Sequence, residues 1–129
     1  AIAGRDIIVQ GDGSDALDFT CVHDLVHGIS RVLVHPDAKN ETFNLTYGAG
    51  RSIADLAEIV GREFPNITVR YEPKDVLMPE RGTLDVSKAR RLIGYAPQYP
   101  IERGLARYMG WYRGLLPEYA PHRERSMAV

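Results

Sequence analysis

Apolar residues recur along this chain in two periods, and the two alternate from end to end. Residues 6–10 (Asp-Ile-Ile-Val-Gln) form a short β-rich run stopped by Gly11-Asp12-Gly13, and residues 19–22 read as a second short strand. Leu25, Val26, Ile29, Val32 and Leu33 then fall at helical spacing, which predicts a helix over 24–34 that closes before Pro36. Residues 42–46 predict a strand bounded by Tyr47-Gly48-Ala49-Gly50. Ser52 is placed to cap the next helix through the amide of Asp55, and Asp55 brings negative charge to its first turn. That helix turns Ile53, Leu56, Ala57, Ile59 and Val60 inward and ends near Phe64-Pro65. Ile67, Val69 and Tyr71 alternate as in a strand. Residues 88–93 predict a short helix closed by Gly94, and 101–115 an amphipathic one. After Pro117 a polar, frayed tail is expected. Short strands alternating with helices make this an α/β chain.

Composition narrows the partners. With 129 residues the chain is one domain's worth, able to bury an ordinary core. Its 16 basic and 17 acidic residues lack the basic excess of a nucleic-acid binder, so no nucleic-acid partner is expected. No apolar run approaches the roughly 20 residues of a bilayer span, and no membrane partner is expected either. Ala1–Gln10 shows neither a charged nor an apolar leader region, and the lone Cys21 has no internal partner; together these predict a reducing, cytoplasmic setting. The chain does not open on Met, and Ala1 is expected to be a cut point. Three sequons, at Asn40, Asn44 and Asn66, are expected to be chance in that setting.

Two motifs invite stronger chemistry. A strand, then Tyr47-Gly48-Ala49-Gly50, then a helix, with Glu72 further on, has the outline of a dinucleotide loop. Ile53 occupies the third glycine position, where a side chain hinders close helix–strand packing, so the expected reading is a tight turn into a Ser-capped helix. His23 and His27 stand at i and i+4, as a zinc hydrolase places two ligands. Asp24 is a methylene shorter than the Glu such a site uses as base, and no third ligand follows at a familiar spacing; no metal is expected. His35-Pro36-Asp37 lacks the preceding basic helix that would make the tripeptide a chaperone-cofactor signature.

The segments IVQGDGSDALDFTCVHDLV from Ile8, ETFNLTYGAGRSIADLAEIV from Glu41, RGTLDVSKARRLIGYAPQYP from Arg81 and IERGLARYMGWYR from Ile101 share an order and spacing. In both they resemble the C-terminal half of the extended short-chain dehydrogenase/reductase family, the NAD-dependent sugar-nucleotide epimerases and dehydratases. The resemblance runs from about residue 4 to residue 116. It implies a C-terminal fragment of an extended Rossmann-type enzyme. Residues 1–22 and 66–95 would build its substrate lobe, 23–65 and 100–116 would pack on the nucleotide-binding sheet of the other half, and 117–129 would be tail.

The resemblance also implies roles. Val9 to Gly13 and Asp18 to Thr20 would form one wall of a nucleoside-diphosphate-sugar site, with Gly11 and Gly13 offering unobstructed amides. Arg81, four residues before Asp85, would meet a phosphate or ribose, whereas unaided it reads as a solvated loop charge. Leu17 stands where many relatives have an Arg for the diphosphate and supplies neither charge nor fork geometry. Asp85, Ser87 and Lys88 are expected to shape the short helix, and Asn44 to bond neighbouring backbone. The family's catalytic Tyr-x-x-x-Lys is absent, since Tyr47 is followed by Arg51 and Tyr108 by Tyr112. The parent would use NAD to oxidise the sugar transiently at C4, with Tyr as base and Lys lowering its pKa. This chain itself is expected neither to hold NAD nor to catalyse. The alternative is a stand-alone, non-catalytic sugar-nucleotide-binding or dimerisation module. Without the other half, strand 42–46 and helix 101–115 are the surfaces expected to make homo-oligomers.

Overall fold

The computed structural model describes residues 1, 4–75, 77, 79 and 81–123, with side chains in the last helix as far as residue 115. The order is β1 (Ile7–Gln10), β2 (Ala16–Leu17), α1 (Val22–Val34), a 3-10 turn (Pro36–Ala38), β3 (Arg51–Ser52), α2 (Ile53–Glu63), β4 (Val69–Glu72), α3 (Ser87–Ile93) and α4 (Ile101–Arg123). The strands make two separate two-stranded sheets. In one, β1 pairs in parallel with β4, Ile7 opposite Val69 and Gln10 opposite Glu72. In the other, β2 runs antiparallel to β3, Leu17 opposite Arg51.

Local chemistry explains most boundaries. Ser52 accepts the Asp55 amide at 3.0 Å and Asp55 accepts the Ser52 amide at 3.1 Å, a reciprocal box that satisfies two orphan donors at the start of α2. Gly94 takes a left-handed conformation (φ 61°) and lets the chain reverse after α3. Asp24, 2 % exposed, turns away from its own helix and accepts the amides of Gln98 (2.7 Å) and Tyr99 (2.9 Å). That carboxylate ties α1 to the segment entering α4. One cluster gathers Ala38, Ala89, Ile93 and Tyr95, with Val32, Phe43, Leu45 and Leu92 against it. Val9, 1 % exposed, and Ala57 are buried where α2 packs on β1.

Four expectations need correction. Residues 19–22 are not a strand: the paired segment is Ala16–Leu17, because the turn around Gly13 brings it beside β3, with the Ile53 amide bonded to the Asp15 carbonyl at 3.0 Å. The helix expected from Asp24 begins at Val22, with Cys21 at its N-cap. Residues 42–46 run without a ladder partner among the described residues, and a strand exists only where another pairs with it. Finally, α4 passes Pro117 and reaches Arg123. Proline's fixed φ is itself helical, and what it removes is one N–H donor. Residues 124–129 of the expected tail lie outside the described residues, as do 2, 3, 76, 78 and 80 of the expected substrate lobe.

Candidate functional site

β1 delivers Val9 to the edge of the glycine turn, but the Val9 side chain points into the core, so only its backbone is available to a ligand. Gly11 (φ +75°) and Gly13 (φ +77°) both hold conformations that side chains disfavour. The turn is pinned on both flanks: the Gly11 amide donates to the Glu72 carbonyl at 2.8 Å, and the Gly13 carbonyl accepts the Ala54 amide at 2.9 Å. Asp12 accepts the Ser14 hydroxyl (2.6 Å) and amide (2.9 Å), and these bonds hold its carboxyl below the ordinary range.

Lys74 is the cation the sequence reading missed here. Its side chain lies 3.4 Å from where a Gly11 methyl would stand, and its ammonium meets Asp15 at 2.6 Å. The parallel pairing of Gln10 with Glu72 puts residues 11 and 74 side by side, a long-range register that no local pattern announces.

The second part of the expected wall is committed to structure. The Asp18 carboxylate accepts the Gly48 amide with both oxygens at 3.1 Å, and Thr20 Oγ1 accepts the Tyr47 amide at 3.1 Å. Two of the amides that a phosphate would need in the 47–50 turn, those of Tyr47 and Gly48, are thus taken by this chain's own side chains, one of them a carboxylate. Leu17 faces Arg51 across the ribbon, but that guanidinium is held by Glu102 (2.7 Å) and Asp55 (3.3 Å), contacts that raise its pKa, Glu102 foremost.

Arg81 lies on an exposed strap, and among the described residues it has no hydrogen-bond or ion-pair partner. Two residues on, Thr83 Oγ1 presses close to Gly50, which also neighbours Ala16 and the Leu17 carbonyl. The strap therefore runs beside the β2–β3 ribbon, within reach of the wall. Asp85 accepts the Ser87 amide at 2.8 Å and the Ser87 hydroxyl, as expected of a helix-shaping turn. Asn44 does not bond neighbouring backbone. Its Nδ2 donates 2.9 Å to the Asp85 carbonyl, 41 residues away.

A hollow of about 990 Å3 lies elsewhere. Phe19, Leu56, Leu105, Tyr108 and Trp111 give it an apolar lining, and Cys21, His23 and Arg107 border it. His23 places Nδ1 3.7 Å from Cys21 Sγ and Nε2 3.4 Å from Arg107, so neither nitrogen is paired with His27 around a metal. Among the described residues no group of three ligating side chains converges. No described helix is long and apolar enough to cross a membrane.

No family model matches the chain. It is 30% identical over 116 residues to an uncharacterised UDP-glucose epimerase of Bacillus subtilis, covering 86% of this chain and 35% of that protein. It superposes on an epimerase of Methanothermobacter thermautotrophicus with a TM-score of 0.86 and 29% identity, over 93% of this chain and 36% of that one. A UDP-glucuronic acid 4-epimerase of Bacillus cereus, solved with UDP-glucuronic acid and NAD, shares the fold at a TM-score of 0.72 and 23% identity, over 81% of this chain and 34% of its own. The chain spans about a third of the length of the curated relatives it matches.

Proposed function

We propose that this chain, homologous to the sugar-nucleotide epimerases and dehydratases of the extended short-chain dehydrogenase/reductase family, carries the sugar-nucleotide-binding side of such an enzyme without its catalytic pair. The observation behind this reading is that two segments distant in sequence meet: Thr83, on the strap that bears Arg81, lies against Gly50, which also neighbours Ala16 and the Leu17 carbonyl in the ribbon that follows the Gly11–Gly13 turn. A guanidinium is complementary to a diphosphate; of the two turn glycines, Gly11 has its amide on the Glu72 carbonyl, against the expectation that it would be unobstructed, which leaves the Gly13 amide to meet one. Lys74 stands beside the turn with its ammonium on Asp15, whereas Leu17 brings no charge. NAD belongs, on this reading, to the complete enzyme, because the dinucleotide-like turn here has Ile53 in place of its third glycine and has spent the Tyr47 and Gly48 amides on Thr20 and Asp18. The elements 23–65 and 100–116, with the apolar hollow between them, serve as the contact surface for the rest of the enzyme.

Calorimetry with UDP-glucose tests the reading. The chain should bind it weakly, and Arg81→Ala should weaken that binding by about 1.5–3 kcal/mol, the usual worth of a charge-assisted contact. Equal affinities with and without Arg81 would return it to a solvated loop charge.

A further inference from the structure

We propose that the turn at residues 47–50 is a positioning device that sets Arg81 against the wall of the sugar-nucleotide site. This rests on the reading above and adds to it a role for residues that touch no ligand.

The turn is gripped from both sides. On one side the wall segment reaches it, through Asp18 to the Gly48 amide and Thr20 to the Tyr47 amide. On the other side the strap lies directly on its glycines. A methyl group on Gly48 would stand 2.7 Å from Val86 Cγ2, and one on Gly50 would stand 2.7 Å from Thr83 Oγ1. Both are closer than a methyl carbon approaches another carbon or a hydroxyl oxygen without something moving. Gly48 also holds φ +81°, a conformation that suits glycine. Asn44, just before the turn, completes the grip by donating to the Asp85 carbonyl. The strap is thus fixed at Thr83, Asp85 and Val86, while Gly82 has open space around it. Arg81 lies two residues beyond the last fixed point, Thr83, with Gly82 between them. Its reach toward the wall is set by how closely Thr83 sits on Gly50.

The same geometry accounts for a glycine-rich turn that resembles a nucleotide loop yet spends its amides internally. Its glycines serve close approach of the Val86 and Thr83 side chains rather than of a phosphate.

Gly50→Ala tests the inference by titration of the chain with UDP-glucose. The added methyl should displace Thr83 and weaken binding about tenfold, within the range for coupled neighbours. Thr83→Ala in the same chain removes the colliding hydroxyl and should restore affinity to within about twofold. In the Arg81→Ala background, Gly50→Ala should add nothing. Should Gly50→Ala not fold, Asn44→Ala, an exposed substitution that frees the strap at Asp85, takes its place with the same expected dependence on Arg81. Undiminished affinity in the folded positioning variant, or a loss that persists without Arg81, overturns the inference while leaving Arg81 itself in the site. If the unmodified chain and Arg81→Ala bind UDP-glucose alike, the site reading falls and the inference with it.

Discussion

Tyr95 shows what a single buried group can do to this chain. Its ring is 1 % exposed, packed against Gly28 and Leu45, and its hydroxyl has no hydrogen-bond partner among the described residues. Burial, reinforced by the nearby Asp24 and Asp18 carboxylates, pushes its pKa from 10.0 up to about 12. An unfolded chain therefore loses this proton near pH 10.0 and the folded protein near pH 12. Between those values the folded state binds more protons, so Tyr95's contribution, intact below pH 10.0, is lost as pH rises. Tyr95→Phe keeps the ring and removes an unpaired polar atom, which makes it neutral or stabilising by up to about 1 kcal/mol at pH 7. Urea unfolding at pH 7 and pH 11 should show that the variant loses less stability between the two than the unmodified chain. An equal loss would mean that the Tyr95 hydroxyl reaches solvent.

At the scale of elements, the start of α2 is the best-specified boundary. Ser52→Ala removes one half of the capping box and should cost about 1 kcal/mol in denaturant unfolding. The Asp55 half is pH-dependent: bonds from the Ser52 amide first, then the Ser52 hydroxyl and Arg51, hold its carboxyl below the ordinary 3.8. Its contribution is present above that value and is lost as pH falls through the lowered one, so an acid unfolding curve should steepen only below pH 3.8. A Ser52→Ala chain as stable as the unmodified one would deny the cap any energetic role. This boundary was legible because its chemistry is local. So was Gly94, whose left-handed turn needs only the residue itself, and so were β1, a β-rich run stopped by a glycine turn, and β4, whose alternation is visible in Ile67, Val69 and Tyr71. Residues 42–46 were legible as extended chain but not as a strand, because pairing depends on what lies opposite. The true partner of β3, Ala16–Leu17, is two residues long and carries no period to read. The site was half legible. The Gly11–Gly13 turn and Arg81 stand out in sequence, whereas Lys74 beside the turn, Asp18 and Thr20 on residues 47–48, and Asn44 on Asp85 all depend on contacts between segments at least 27 residues apart.

At the scale of the whole molecule, the described residues keep apolar surface exposed. On α1, Val26 and Ile29 are about half exposed and Leu33 and Val34 about four-fifths, while Trp111 on α4 is 60 % exposed. Burying a large apolar side chain is worth ~1.5–3 kcal/mol, so several left in water rival the stability of a small domain. Phe43 and Leu45, expected to seek a second copy, instead pack on the core of their own chain, which leaves α1 and α4 as the faces with most to gain from cover. For this chain by itself, light scattering at tens of micromolar should find self-association; a monomer at that concentration would mean these faces are tolerated in water. The central claim is that this chain holds the sugar-nucleotide side of an enzyme whose cofactor lies elsewhere. Amide chemical shifts test it most directly, recorded during separate titrations with UDP-glucose and with NAD. The account predicts that UDP-glucose shifts residues 9–13 and 81–86 and that NAD shifts none of the amides in 47–53. NAD-dependent shifts in 47–53, or UDP-glucose shifts confined to the apolar hollow around Tyr108 and Trp111, would contradict it.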